Sequence, residues 1–169
     1  MEQDAGPFGR GGWLLVAFLG WLAMMGISAL VIHTIVDDPQ LSRLLTQHQR
    51  GMAAGLQQAL MVAIAGQFLV GLAAFFCCIS YIAHTRPMQA IAIVHYLLVA
   101  AMGAGVALSG FVVPGVSITG QVWIMAGVHV AYAFGWISYF LRSRRVRNTF
   151  GARPGFGRVP LDANGVPRP

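Results

Sequence analysis

Apolar positions along this chain come in four unbroken runs, each closed by a short polar stretch, instead of recurring at helical or strand spacing. Trp13 to Val36, Ala59 to His84, Met88 to Val113 and Gln121 to Leu141 hold 21 to 26 residues each, with no Asp, Glu, Lys or Arg inside any of them. A helix of that length crosses ~30 Å of bilayer hydrocarbon at 1.5 Å per residue. The pattern therefore predicts four membrane-spanning helices, over 13–36, 59–84, 88–113 and 121–141. The first run is too long for the apolar region of a signal peptide and no small-x-small site closes it, so it reads as a retained span.

The one sizeable polar stretch, Asp37 to Gln58, carries a different pattern. Asp38 before Pro39 is a helix start. Leu41, Leu44, Leu45 and His48 then fall on one face, opposite Ser42, Arg43, Thr46, Gln49 and Arg50. Such a pattern predicts a short amphipathic helix lying on the membrane surface between spans 1 and 2. Thr85-Arg86-Pro87 is too short to join anything but antiparallel neighbours, and Pro114 to Gly120 is an uncharged turn.

Composition agrees with membrane residence. Of 169 residues 57% are hydrophobic and 9% charged, and the mean hydropathy is +0.68, values unsuited to a water-soluble core. A formal charge of +6 and pI near 10.4 elsewhere point to nucleic acid, but no basic groove with stacking aromatics is present. Arginine placement explains the charge instead. Arg10, Arg86, Arg142, Arg144, Arg145, Arg147, Arg153, Arg158 and Arg168 fall on one side of the threaded chain, and Arg43 and Arg50 on the other. By the positive-inside rule both termini are cytoplasmic, N-in and C-in. Residues 1–12 then form a cytoplasmic leader, 13–141 the transmembrane domain and 142–169 a basic tail, disordered for want of anything to bury. Arg142, Arg144, Arg145 and Arg147 sit where they fix topology and meet anionic headgroups.

Because lipid tails are as apolar as leucine, spans associate through close backbone approach at small residues. Ala101, Gly105 and Ser109 form such a row in the third span, and Ala59 and Ala63 in the second. These rows are expected to be helix contacts within an all-α, up-down four-helix bundle of left-handed twist, or to mediate homodimerisation.

Candidate chemistry is sparse. With no charge inside the spans, there is no intramembrane counter-ion or carboxylate relay. The polar groups that remain are His33, His84, His95 and His129, with Gln67, Tyr81, Tyr96 and Tyr132. Haem b held by two histidines needs facing imidazoles at one depth. Measured from the cytoplasmic ends, His84 lies at about 0 to 3 Å, His95 at about 11 Å, His129 at about 18 Å and His33 at about 30 Å. No two share a level, and the nearest pair, His95 and His129, is offset by about 7 Å. The stagger suits a hydrogen-bonding ladder for protons or a polar solute, or four structural histidines bonded to neighbouring helices. Cys77 and Cys78, adjacent within an apolar run, read as small fillers.

Two stretches, GRGGWLLVAFLG (Gly9 to Gly20) and WISYFLRSRRVRNTF (Trp136 to Phe150), resemble the bacterial inner-membrane family grouped as domain of unknown function 2569. In the second, Trp136, Tyr139, Phe140, Ser143, Arg145, Val146, Thr149 and Phe150 match the family pattern, whereas Ser138 stands where proline is common. The resemblance implies four spans and the inner membrane, and puts the amphipathic helix in the periplasm. It implies no catalytic residue. The expected function is that of a non-enzymatic accessory or interaction subunit whose partners are the bilayer and a membrane protein or a second copy, not nucleic acid. The alternative is a histidine-dependent redox (haem b) or proton/solute transport protein.

Overall fold

The computed structural model describes residues 12–47, 50–85, 87–112 and 119–150. The leader before residue 12, His48 and Gln49 of the amphipathic stretch, Arg86, the turn over 113–118 and the tail from 151 lie outside the described residues. Within them the chain is all-helical: α1 Trp13–Asp37, α2 Pro39–Thr46, α3 Met52–Ile82, α4 Met88–Val112, α5 Gly120–Arg142 and α6 Arg144–Phe150. Four of these, α1, α3, α4 and α5, are long and apolar enough to cross a membrane.

The ends of the elements follow from local chemistry. Gly12 caps α1 with φ at 63°, a left-handed conformation that glycine adopts without steric penalty. As the sequence predicts, α2 starts at Asp38. Its carboxylate accepts from the backbone N–H of Gln40 at 2.8 Å and Leu41 at 3.0 Å, and Pro39 occupies the first turn, where no N–H is needed. Leu41, Leu44 and Leu45 are half-buried while Arg43 and Thr46 are exposed, as the amphipathic pattern predicts, although Ser42 of the predicted polar face is half-buried as well.

Helix α3 departs from the predicted second span at both ends. It begins at Met52, seven positions before Ala59, where Gln57 donates to the carbonyls of Leu45 (3.0 Å) and Gln47 (3.1 Å) and so ties the end of α2 to its first turns. It stops at Ile82, two positions before His84. There His84 takes φ 52° and Thr85 N–H bonds back to Ser80 C=O at 3.1 Å, the Schellman closure of a helix end.

Helix α1 packs on α3, α3 on α4 and α4 on α5, while α1 and α5 meet through side chains. Short connections make the neighbours antiparallel, which gives the up-down bundle. One end gathers the start of α1, the end of α3, the start of α4 and the end of α5 with α6; we call it the arginine end. The other carries α2, and Phe111 of α4 meets Trp123 of α5 there at 5.7 Å. Core positions recur at three, four and seven residues: Leu14, Ala17, Trp21 and Ser28 in α1; Ala126, Ala133 and Phe140 in α5. A seven-residue repeat is the seam of a left-handed bundle. Most other apolar side chains face outward, with only 17% to 28% of each spanning window buried, as suits helices solvated by lipid.

Close approach depends on glycines other than the expected ones. A Cβ at Gly66 would fall on the Met102 sulfur, one at Gly71 would sit 3.1 Å from Ser28 Cβ, and one at Gly103 2.8 Å from His129 Cβ. Thus Gly66 serves the α3–α4 contact, Gly71 the α1–α3 contact and Gly103 the α4–α5 contact. The expected contact rows do not. Gly105 has nothing within 4 Å of its added Cβ, and Ala59, Ala63, Ala101, Gly105 and Ser109 instead line an open groove between α3 and α4. The inward face of α4 carries Gly103 and Ala107, nearly opposite Gly105 on a 3.6-residue helix.

Candidate functional site

At the arginine end the interior is aromatic. Trp21 stacks on Phe140 with centroids 5.9 Å apart, Tyr96 lies parallel to Trp136 at 5.8 Å and 5°, and Phe18 stacks on Tyr81 at 4.8 Å. His95 meets Tyr96 edge-on at 4.9 Å. Helix α6 closes this end. The chain leaves helical geometry at Ser143 (ψ 117°), whose hydroxyl accepts from Val146 N–H at 3.3 Å, and turns Val146, Thr149 and Phe150 inward. Phe150 packs on Tyr81 at 6.3 Å and stacks on His84 at 5.7 Å. A tail disordered from residue 142 is thus corrected: through Phe150 it is a folded plug, because its apolar residues at positions 146 and 150 share one helical face.

The glycine-rich entry to α1 and the arginine-rich exit from α5 meet here. Trp13 contacts Trp136 edge-on at 6.4 Å, and the Arg145 guanidinium lies against Gly12, with Nη1 3.0 Å from where a Cβ would stand. Arg142, Arg144 and Arg147 are exposed, whereas Arg145 is half-buried. Gln89 of α4 donates to the Phe140 carbonyl at 2.9 Å, satisfying a carbonyl in the last turns of α5.

A match to the family model "Protein of unknown function (DUF2569)" spans residues 9–151, from just before that glycine cap to just after Phe150. The chain belongs to this family. Within the match, Gly12 and Trp13 on one side and Trp136, Arg145, Val146 and Phe150 on the other therefore build one closed end of the bundle. Ser138, where the resemblance leads one to look for proline, lies within an unbroken α5. No curated protein and no solved structure matches the chain.

The four histidines are not brought together. His33 is exposed at the end of α1, paired with Asp37 at 2.9 Å, and His84 is exposed beyond α3. His95 is fully buried; both ring nitrogens lack a partner in hydrogen-bond geometry, the Val70 carbonyl being the acceptor they approach. His129 packs against Gly103, eight residues beyond His95 on α4, which separates the two by about 12 Å along the axis. Trp21 Nε1 and Tyr96 OH are buried and approach each other without reaching hydrogen-bond geometry, and the exposed Tyr132 packs beside Tyr96. Cys77 and Cys78 are buried free thiols, and the described residues contain no group of three His, Cys, Asp or Glu placed to hold a metal.

Toward the α2 end the bundle opens around a cavity of about 500 Å³ lined by Gln67, His129 and Gln121 among apolar side chains. Ser28 donates to Gln67 Oε1 at 3.2 Å, and His129 Nδ1 lies 2.8 Å from the Met125 carbonyl. Of these, Gln67 and His129 are candidates from sequence. Ser28 was missed, although it stands seven residues from Trp21 and fourteen from Leu14 on the buried stripe of α1, a spacing that marks it. The second opening, the α3–α4 groove, measures about 710 Å³ and is bordered by Met102 and Val106, which also line the cavity.

Proposed function

We propose that this DUF2569 protein is a non-enzymatic accessory subunit of the bacterial inner membrane, with both termini cytoplasmic, which works by receiving a transmembrane helix of a partner protein in the α3–α4 groove. The observation that carries this reading is the groove itself. Its walls are the small-residue rows Ala59, Ala63, Ala101, Gly105 and Ser109, and the chain's own helices leave them open. In lipid, tight helix association comes from van der Waals contact at small residues, and a wall of Ala, Gly and Ser lets a neighbouring backbone come close. The exposed guanidiniums of Arg142, Arg144 and Arg147 support the orientation and would hold the arginine end at anionic headgroups.

The test is cross-linking in native membranes from a single photo-reactive residue at position 105, where added atoms meet no neighbour. An adduct of defined mass containing a second membrane protein is expected, lost when Ala101→Leu fills the groove. An adduct with a second copy of this chain would replace the accessory reading by self-association. A chain that captures nothing and runs as a monomer at every concentration in mild detergent would overturn both.

A further inference from the structure

The cavity near the α2 end has a hydrogen-bonding pattern that restricts what fits in it. The Met125 carbonyl only accepts, so its 2.8 Å contact places the hydrogen of neutral His129 on Nδ1 and leaves Nε2 as a bare acceptor. Gln67 uses Oε1 to accept from Ser28, which leaves its amide N–H groups as donors. One lining thus offers an acceptor on His129 and a donor on Gln67, with Gln121 the remaining polar side chain in an otherwise apolar wall. A carboxylate would face a bare imidazole nitrogen, and an ammonium would lack a counter-ion. A carbonyl alone would satisfy Gln67 and leave His129 unpaired. A hydroxyl satisfies both: its O–H donates to His129 Nε2 and its oxygen accepts from Gln67.

Three methionines, Met24, Met102 and Met125, stand around the same space. Thioether sulfur makes favourable contacts with aromatic rings, so this wall favours a ring over a saturated chain as the body that carries the hydroxyl. At about 500 Å³ the space lies within the usual ligand-pocket range of about 300–1,000 Å³. We infer that this cavity is a binding site for a membrane-soluble phenol or hydroquinone, held by Gln67 and His129 through its hydroxyl and by the methionines through its ring. The site shares Met102 and Val106 with the groove, but Gln67, His129, Met24 and Met125 lie outside the groove's lining, so the assignment does not depend on a partner helix there.

The experiment uses the full chain in lipid nanodiscs and radiolabelled 4-decylphenol, with 4-decylanisole and decylbenzene as comparisons. Uptake is measured against empty nanodiscs, which removes partitioning into lipid. Saturable uptake of the phenol at one per chain is expected, with the anisole weaker by about tenfold or more, since methylation removes the donor and leaves His129 Nε2 without a partner against the bound ring. In His129→Leu that preference for phenol over anisole should vanish; in Gln67→Leu both should weaken. Equal excess uptake of phenol and anisole by the unaltered protein, or no excess over empty nanodiscs, overturns the assignment. That comparison needs no variant to fold.

Discussion

Gly103 and Gly105 lie two residues apart on α4, and the same substitution at the two should have opposite effects on the isolated chain. Alanine in place of glycine within a helix gains about 0.5–1 kcal/mol through reduced backbone entropy in the unfolded state and intrinsic propensity. Gly105→Ala should show that gain, because its Cβ enters open space. At Gly103 the new Cβ falls 2.8 Å from His129 Cβ and 3.5 Å from the Ala126 carbonyl oxygen. The first of these atoms is bonded to the α5 backbone and cannot rotate away, so α4 and α5 must separate by several tenths of an ångström. Overpacking of this kind costs about 1–3 kcal/mol. The helix-propensity gain is common to both variants and cancels in their comparison, leaving a difference of about 1–3 kcal/mol, with Gly103→Ala the less stable. Reversible unfolding of the monomer in mixed micelles, titrated with SDS and followed by far-UV circular dichroism, measures it directly. Equal stabilities, or Gly105→Ala the weaker, would refute the helix faces described above and restore the Ala101–Gly105–Ser109 row as an internal contact.

Two further outcomes test the arginine end. Phe150→Ala, which removes the ring packed on Tyr81 and His84 at a site 3% exposed, should lower stability by about 3 kcal/mol in the same unfolding assay, and a loss under about 1 kcal/mol would mean that α6 does not seal the core. Arg147→Cys should react with a membrane-impermeant maleimide in inverted vesicles but not in intact cells, the native Cys77 and Cys78 being buried and silent; labelling from outside intact cells would reverse the proposed orientation.

What was legible in the sequence depended on contrast with the surroundings. At α2 one side is polar, so Asp38, Pro39 and the Leu41, Leu44, Leu45 spacing specify start and buried face, and both agree with the structure, whereas the pattern ran on to Arg50 and the helix ends at Thr46. The four spans were legible for the same reason, since a long uncharged run stands out against polar connections. Helix α6 was not legible, because seven residues rich in arginine look like a solvated tail until Val146 and Phe150 are seen to have a core to enter. The start of α3 at Met52 was likewise not legible, and there Gln57 reaches across to α2, a contact between residues ten and twelve positions apart.

Inside the spans that contrast disappears. Lipid and protein interior are about equally apolar, so Leu14 facing the core and Leu15 facing outward leave no mark in hydropathy. Composition and charge placement were therefore enough to determine that this is a four-span, all-helical membrane protein, and the residue pattern that a short amphipathic helix follows the first span. Which glycines touch a neighbour, that His95 and His129 stand apart, and that Gln67 and His129 line one cavity were settled only by packing. Those relations depend on the rotation of each helix about its own axis, which steric fit decides and the hydrophobic effect, in an oily solvent, does not.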